Sequence, residues 1–351
     1  MSFWKGKRVL VTGHTGFKGS WLSLWLTARG AEVCGYSLEP EMSPNLFESL
    51  GLDGLVDSRI GDIRDLATLE KELRSFQPEI ILHLAAQSLV RRSYREPVDT
   101  YTTNIIGTIN VLEAARRAGS ARAIVVITTD KVYENEERDV GYSETDRLGG
   151  FDPYSNSKAC AEMAISCYRN SFFSDGKTLI ATARAGNVIG GGDWSEDRLL
   201  PDVFRCLIFG DDLVIRNPDS VRPWQHTLEP LNGYMLLAEK LFEGKNEFAT
   251  AWNFGPGEDA SRPVKHVLQE IEKNWDGKVE WKISNGNNPH ETRILKLDSS
   301  QARTKLGWNS ILTLSESLSM TIEWYQAFRD QKDLVKVTKD QIGQYEKKRC
   351  V

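Results

Sequence analysis

The chain has 351 residues, 40% of them hydrophobic, and a formal charge of -5. That is enough apolar material for a sizeable core, and the wrong sign of charge for holding nucleic acid electrostatically. No stretch approaches the roughly 18 apolar residues of a membrane helix. The first strand opens so near the amino terminus that no secretory leader is expected.

In chain order, the apolar strand Val9–Thr12 runs into Gly13-His14-Thr15-Gly16-Phe17-Lys18-Gly19, then into a helical pattern at Trp21, Leu22, Leu24, Trp25 and Leu26. Glycines at this spacing let backbone approach a pyrophosphate that rests on the helix amino terminus. A second strand is predicted at 31–36, a third at 58–62, a helix at 66–76, a fourth strand at 78–85 and a long helix at 97–118. A fifth strand, 122–128, ends at Thr129. A helix over 153–173 follows Pro153, which suits a first turn, and a sixth strand spans 178–184. Strands and helices in this alternation predict an α/β protein built on a doubly wound parallel sheet, with ligands at the carboxyl edge of its strands.

After residue 187 the pattern becomes irregular. Asn187–Trp194 reads as loop, helices are expected near 199–209, 228–243, 263–274 and 314–330, and short strands near 213–216 and 279–283. The expected division is a dinucleotide-binding domain over 1–187, with a returning segment near 228–256, and a smaller interleaved lobe over 188–330. The Lys- and Asp-rich stretch 331–351 reads as a peripheral helix or a frayed tail. The cysteines at 34, 160, 167, 206 and 350 form no Cys-x-x-Cys and have no histidine at metal spacing. No metal is expected, and the compartment is expected to be the reducing cytoplasm.

Chemistry gathers after the fifth strand. Tyr154 and Lys158 stand four residues apart on one helix face, where a neighbouring cation should lower the phenol's pKa toward that of a useful base. Thr129-Asp130-Lys131 sits at the adjacent strand end. His83, inside an apolar strand, reads as a packed core residue, and Trp21 and Trp25 as core. His14 either hydrogen-bonds a phosphate or only occupies its turn. Arg91 and Arg92 either reach a pyrophosphate or are solvated.

Gly13-x-x-Gly16-x-x-Gly19, Asp62-Ile63, His83-Leu-Ala-Ala-Gln87 and Tyr154-x-x-x-Lys158 together resemble the extended short-chain dehydrogenase/reductases, over about residues 5–330. Thr129-Asp130-Lys131-Val132-Tyr133 resembles the threonine–acid–base segment of the nucleotide-sugar 4,6-dehydratases within them, where most members carry Asp-Glu. The Asp-Lys departure, with Gln87–Tyr94, Gly190–Trp194 and Arg222–His226, resembles the branch acting on CDP-glucose. The resemblance implies a Rossmann-type fold, NAD as cofactor, a nucleotide-sugar substrate and a homodimer or dimer of dimers.

It also implies site residues. Thr129, Asp130, Lys131, Tyr154 and Lys158 are catalytic, Lys131 being either the base at C5 or a charged stabiliser of the enolate. Gly13, Gly16, Phe17, Gly19, Ser37, Asp62, Ile63, Ala85, Ala86 and Thr103, with Tyr154 and Lys158, hold the dinucleotide. Ser37 stands where relatives often carry an Asp that grips the ribose. Gln87, Thr129, Asn187, Arg198, Arg222, Asn253 and His290 face the nucleotide sugar. Two other readings stay open: a nucleotide-sugar 4-epimerase or decarboxylase, needing no acid–base pair after Thr129, and a dinucleotide sensor without catalysis.

Overall fold

The computed structural model describes residues 2–276, 278–283 and 295–350. Its central sheet has seven parallel strands: β1 (Arg8–Thr12), β2 (Glu32–Ser37), β3 (Asp57–Ile60), β4 (Ile80–His83), β5 (Ala123–Ile127), β6 (Leu179–Ala185) and β7 (Ala251–Phe254). Their spatial order is 3-2-1-4-5-6-7. Winding reverses between β1 and β4, which opens a crevice at their carboxyl ends. The principal helices are α1 (Phe17–Ala28), α2 (Leu66–Phe76), α3 (Thr108–Ala118), α4 (Pro153–Phe172), α5 (Leu199–Phe209), α6 (Leu228–Phe242), α7 (Val264–Asn274), α8 (Leu314–Arg329) and α9 (Leu334–Arg349).

The strands are apolar on both faces because helices cover both. Val9, Val11, Ile80, Leu82 and Val125 join Trp21 and Trp25 of α1 and Leu231 and Leu237 of α6 in one core. The alternate residues Leu10, Ile81, Ile124, Val126 and Ile180 join Leu69 of α2, Val111 of α3 and Ile165 of α4 in the other. Each such side chain contributes roughly 1.5–3 kcal/mol when fully buried, which fixes the register of every strand.

The helix expected over 97–118 begins at Pro97 but passes through a wide π segment, Thr102–Gly107, before α3. There a Cβ on Gly107 would come within 2.5 Å of Ile63 Cδ1, so the chain is drawn close against that loop. A short helix, Val90–Arg95, precedes it and ends at the Glu96-Pro97 step.

The carboxyl-terminal stretch is neither frayed nor peripheral. Thr338, Gln341, Ile342 and Tyr345 form a buried stripe along α9, at the i, i+3, i+4, i+7 spacing of a packed helix face. Trp25 Nε1 donates to Glu346 Oε1 at 2.5 Å and the Tyr345 hydroxyl to Glu229 Oε2 at 2.8 Å. Charged residues on the outer face conceal that stripe in the composition. Beyond the sheet, short strands pair Val214–Ile215 with Lys282–Ile283 and Val221–Pro223 with Ser261–Pro263, beside the crevice.

Candidate active site

The crevice begins at the glycine turn. Gly13 has φ of +76° and a Cβ there would lie 2.7 Å from the Ala85 nitrogen, while one on Gly19 would lie 2.0 Å from the Gly13 oxygen. Only glycine permits this conformation and this approach. His14 is not available to a ligand at the turn. Its ring lies over Gly35, where a Cβ would come within 2.2 Å of it. Its Nε2 is 2.7 Å from Ser58 Oγ, and burial lowers its pKa to about 4. At the end of β2 the Ser37 and Thr15 hydroxyls are 2.8 Å apart. Asp62 is held by Arg64, whose hydrogen bonds lower the carboxyl's pKa despite burial, and Arg64 reaches on to Asp99. His83 is packed as expected: Nδ1 lies 2.6 Å from Thr12 Oγ1 and Nε2 3.0 Å from Thr108 Oγ1, and burial lowers its pKa to about 3.

The catalytic candidates occupy the ends of β5 and α4. Thr129 Oγ1 donates to Asp130 Oδ1 at 3.0 Å and accepts from the Lys131 amide at 3.3 Å. Lys131 Nζ lies 3.4 Å from the same Asp130 oxygen. Asp130 is buried and Lys131 half-buried. Tyr154 departs from expectation: its phenol is pushed up to about 12. Burial dominates, outweighing a hydrogen bond with Thr129 and the charge of Arg198. The Lys158 ammonium donates to the Ile127 carbonyl at 3.2 Å. Burial also lowers Lys158 to about 8, against the attraction of Glu162.

A buried network fixes both elements. Glu162, one turn beyond Lys158 on α4, accepts from Thr128 Oγ1 at 2.6 Å, Thr182 Oγ1 at 2.8 Å and the Arg184 guanidinium at 2.9 Å. Arg184 donates to the Tyr133 hydroxyl at 2.9 Å, which donates to Asn253 Oδ1 at 2.7 Å. Asn253 is therefore a correction to the sequence reading. It is fully buried, its amide nitrogen donates to the Tyr142 and Asp298 carbonyls, and it does not line the crevice. Its place opposite Arg184 in the β6–β7 register faces it into the fold.

The crevice widens into a cavity of about 730 Å³. Thr129, Asp130, Lys131, Tyr154 and Lys158 all line it, as do Gly13, Gly16, Phe17 and Gly19 of the turn. So do Ser37, Asp62, Ile63, Ala85, Ala86 and Thr103. Gln87, Asn187, Arg198 and Arg222 line it too. The Gln87 amide is already engaged by Leu89 and Thr100. Arg91 pairs with Asp197 and Arg92 with Glu41 and Glu96. His290 lies outside the described residues.

Two features went unread in the sequence. Asp193 pairs with Arg198 at 3.1 Å across the loop after Ile189. Lys18, between Phe17 and Gly19, turns its side chain into the cavity. The signal for Lys18 was a charged residue in the first turn of a helix whose other faces are packed.

The GDP-mannose 4,6 dehydratase family matches residues 10–321. A CDP-glucose 4,6-dehydratase of Salmonella typhimurium is 47% identical over 98% of this chain and 97% of its own. A UDP-glucose 4-epimerase of Rhizobium leguminosarum bv. trifolii is 30% identical over 91% and 98%. Among solved structures, DesIV, the dTDP-glucose 4,6-dehydratase of Streptomyces venezuelae with NAD and TYD bound, aligns with a TM-score of 0.77 at 25% identity, covering 93% of this chain and 99% of that one. A match along nearly the whole sheet, and a cavity that brings the glycine turn to Thr129, Tyr154 and Lys158, establish that the chain belongs to the GDP-mannose 4,6 dehydratase family.

Proposed function

We propose that the protein converts CDP-D-glucose to CDP-4-keto-6-deoxy-D-glucose and water, with NAD as a cofactor regenerated in each turnover. The observation that carries this reading is the Asp130–Lys131 pair, 3.4 Å apart, in the same cavity as Thr129, Tyr154 and Lys158. A 4-epimerase needs the last three groups but has no task for an acid–base pair beside the threonine. The 47% identity to a CDP-glucose 4,6-dehydratase supports the same choice and the choice of cytidine.

The residues present fit a dinucleotide. Gly13 and Gly19 leave backbone open where a Cβ would collide, at the amino terminus of α1. Ser37, Asp62, Ile63, Ala85, Ala86 and Thr103 would line its course. Bound NAD supplies the hydride acceptor for C4, later the hydride donor for C6, and a positive ring that favours the phenolate form of a nearby tyrosine.

In this reading Tyr154 takes the C4 hydroxyl proton, Thr129 holds the C4 oxygen by a hydrogen bond, and Lys158 supplies positive charge beside them. The resulting 4-ketone acidifies the C5 proton. Lys131 accepts that proton while Asp130 gives one to the departing C6 hydroxyl, which leaves as water, and when C6 takes its hydride the Lys131 ammonium returns the proton to C5. Across 3.4 Å a single proton moving from Lys131 to Asp130 makes both groups competent at once, without changing the charge of the buried site. This is how Asp-Lys can replace the Asp-Glu of most relatives.

Incubating the purified protein with NAD and, in parallel, the CDP, dTDP, GDP and UDP forms of glucose tests the proposal. The expected result is alkali-absorbing 4-keto product from the CDP sugar foremost. CDP-galactose as product would instead identify an epimerase, and no product would identify a sensor.

The same reading includes a homodimer, formed through α3, α4 and the segment leading into α3. Val98, Ile106, Met163 and Phe172 are exposed apolar residues along these elements. Light scattering at twice the chain mass of 39.6 kDa, or at four times for a dimer of dimers, is the expected result. A cytoplasmic site is consistent with all five cysteines being free thiols. Among the described residues no helix is long and apolar enough to cross a membrane.

A further inference from the structure

The reaction proposed above leaves one proton out of place. Tyr154 begins a turnover as phenolate and ends it carrying the C4 hydroxyl proton, because the product keeps its C4 ketone. Asp130 begins protonated and ends ionised, because its proton leaves in the water. Lys131 takes a proton from C5 and gives one back, so it does not make up the difference. One proton must pass from Tyr154 to Asp130 before the next sugar can react.

A single side chain joins those two groups. Thr129 Oγ1 donates to Asp130 Oδ1 at 3.0 Å, and the same hydroxyl is hydrogen-bonded with the Tyr154 phenol. Tyr154, Thr129 and Asp130 are 8%, 5% and 3% exposed, so bulk water has little access to any of them. A glycine makes room for the Asp130 carboxyl: a Cβ on Gly186, just past β6, would lie 2.7 Å from its Oδ2. With Oδ2 seated there, Oδ1 meets Thr129, and Oδ1 is also the oxygen 3.4 Å from Lys131 Nζ. A proton delivered to Oδ1 therefore arrives at the acid–base pair itself.

We propose that Thr129 resets the site after each turnover by carrying the proton of Tyr154 to Asp130. This rests on the dehydratase reading above. The Tyr154 O–H bond breaks and its proton bonds to Thr129 Oγ1, while the Thr129 hydroxyl proton bonds to Asp130 Oδ1. The threonine is unchanged, and the phenolate and the carboxylic acid are both restored. One hydroxyl proton cannot serve the C4 oxygen and Asp130 together, so the transfer follows departure of the product. No proton is exchanged with bulk water, in keeping with a reaction that neither consumes nor releases one.

A double-mixing assay with the protein supplied with NAD tests this. One equivalent of CDP-glucose is converted, a second is added after a variable delay, and the 4-keto product of the second is quenched and measured. The unmodified protein should respond fully at the shortest delay, at any concentration of added imidazole. Thr129→Val keeps the shape of the side chain without its hydroxyl. It should convert its first equivalent, then recover its response to the second about 10² times more slowly, and imidazole should hasten that recovery. Thr129→Ser keeps the hydroxyl and should recover as the unmodified protein does. Equal slowing of both equivalents in Thr129→Val, at every delay, would confine the threonine to the C4 oxygen and overturn the proposal. So would a recovery hastened by imidazole in the unmodified protein, or a Thr129→Ser that recovers as slowly as Thr129→Val. No 4-keto product from the unmodified protein would overturn the dehydratase reading itself, and this inference with it.

Discussion

At the scale of the residue, the chemistry turns on a 3.4 Å pair. A lysine beside an aspartate acts as base and acid only by exchanging one proton, so removing the lysine should separate two halves of the reaction. Lys131→Ala should still oxidise C4 and then stall, with the absorbance of reduced dinucleotide and a 4-ketoglucose accumulating in single-turnover experiments. Full turnover by Lys131→Ala would remove that residue from the mechanism. Tyr154→Phe should lower turnover by about 10²–10⁴ and leave no such accumulation, since the C4 hydroxyl proton then has no acceptor. Tyr154 and Lys158 are also where sequence reasoning stopped short. Spacing on a helix places two groups on one face, but the direction of a pKa depends on how dry that face is. Burial pushes the phenol up to about 12, against the expected lowering.

At the scale of the element, the site is held by the network under α4. Burial works against the Glu162 carboxylate, and Arg184, Thr128 and Thr182 overcome it, so its pKa lies below the usual range. A carboxyl lowered on folding contributes stability that is present above its ordinary value of about 4.5 and is lost as pH falls below it. Glu162→Gln leaves the Arg184 charge buried without its partner and should cost about 3–5 kcal/mol in urea unfolding at pH 7. The loss should shrink toward pH 4, and a constant loss would argue that packing alone is affected. This network was not legible in the sequence, because it joins α4 to β5, β6 and β7 across more than 100 residues. Asn253 was misread for the same reason: a polar residue at a strand end resembles a ligand-binding one until its partners Tyr133, Tyr142 and Asp298 are seen. The glycine turn was legible because its meaning is local. Collision distances at Gly13 and Gly19 depend on a few consecutive residues and the next strand end.

At the scale of the whole molecule, the parallel sheet followed from strands that are apolar on both faces and separated by helices. The boundary at Phe76 and the long α4 were read to within a residue or two for this reason. The carboxyl-terminal helix was not, because its buried stripe lies among many lysines. Tyr345 there reaches the Glu229 carboxylate, which also accepts from the Ile311 and Leu312 amides and so joins α6, the chain before α8, and α9. Tyr345→Ala should therefore destabilise the protein by about 3–5 kcal/mol, as other large aromatic truncations in cores do. A loss below about 1 kcal/mol in denaturant titration would return α9 to the periphery.

The claim that joins these scales is that one hexose is oxidised, dehydrated and reduced without leaving the cavity. CDP-glucose carrying deuterium at C4 tests it in one measurement, by NMR of the product. The account predicts deuterium in the C6 methyl group of a 4-keto-6-deoxy sugar. Deuterium still at C4, in a galactose-configured product, or a product methyl group free of the label, would contradict it.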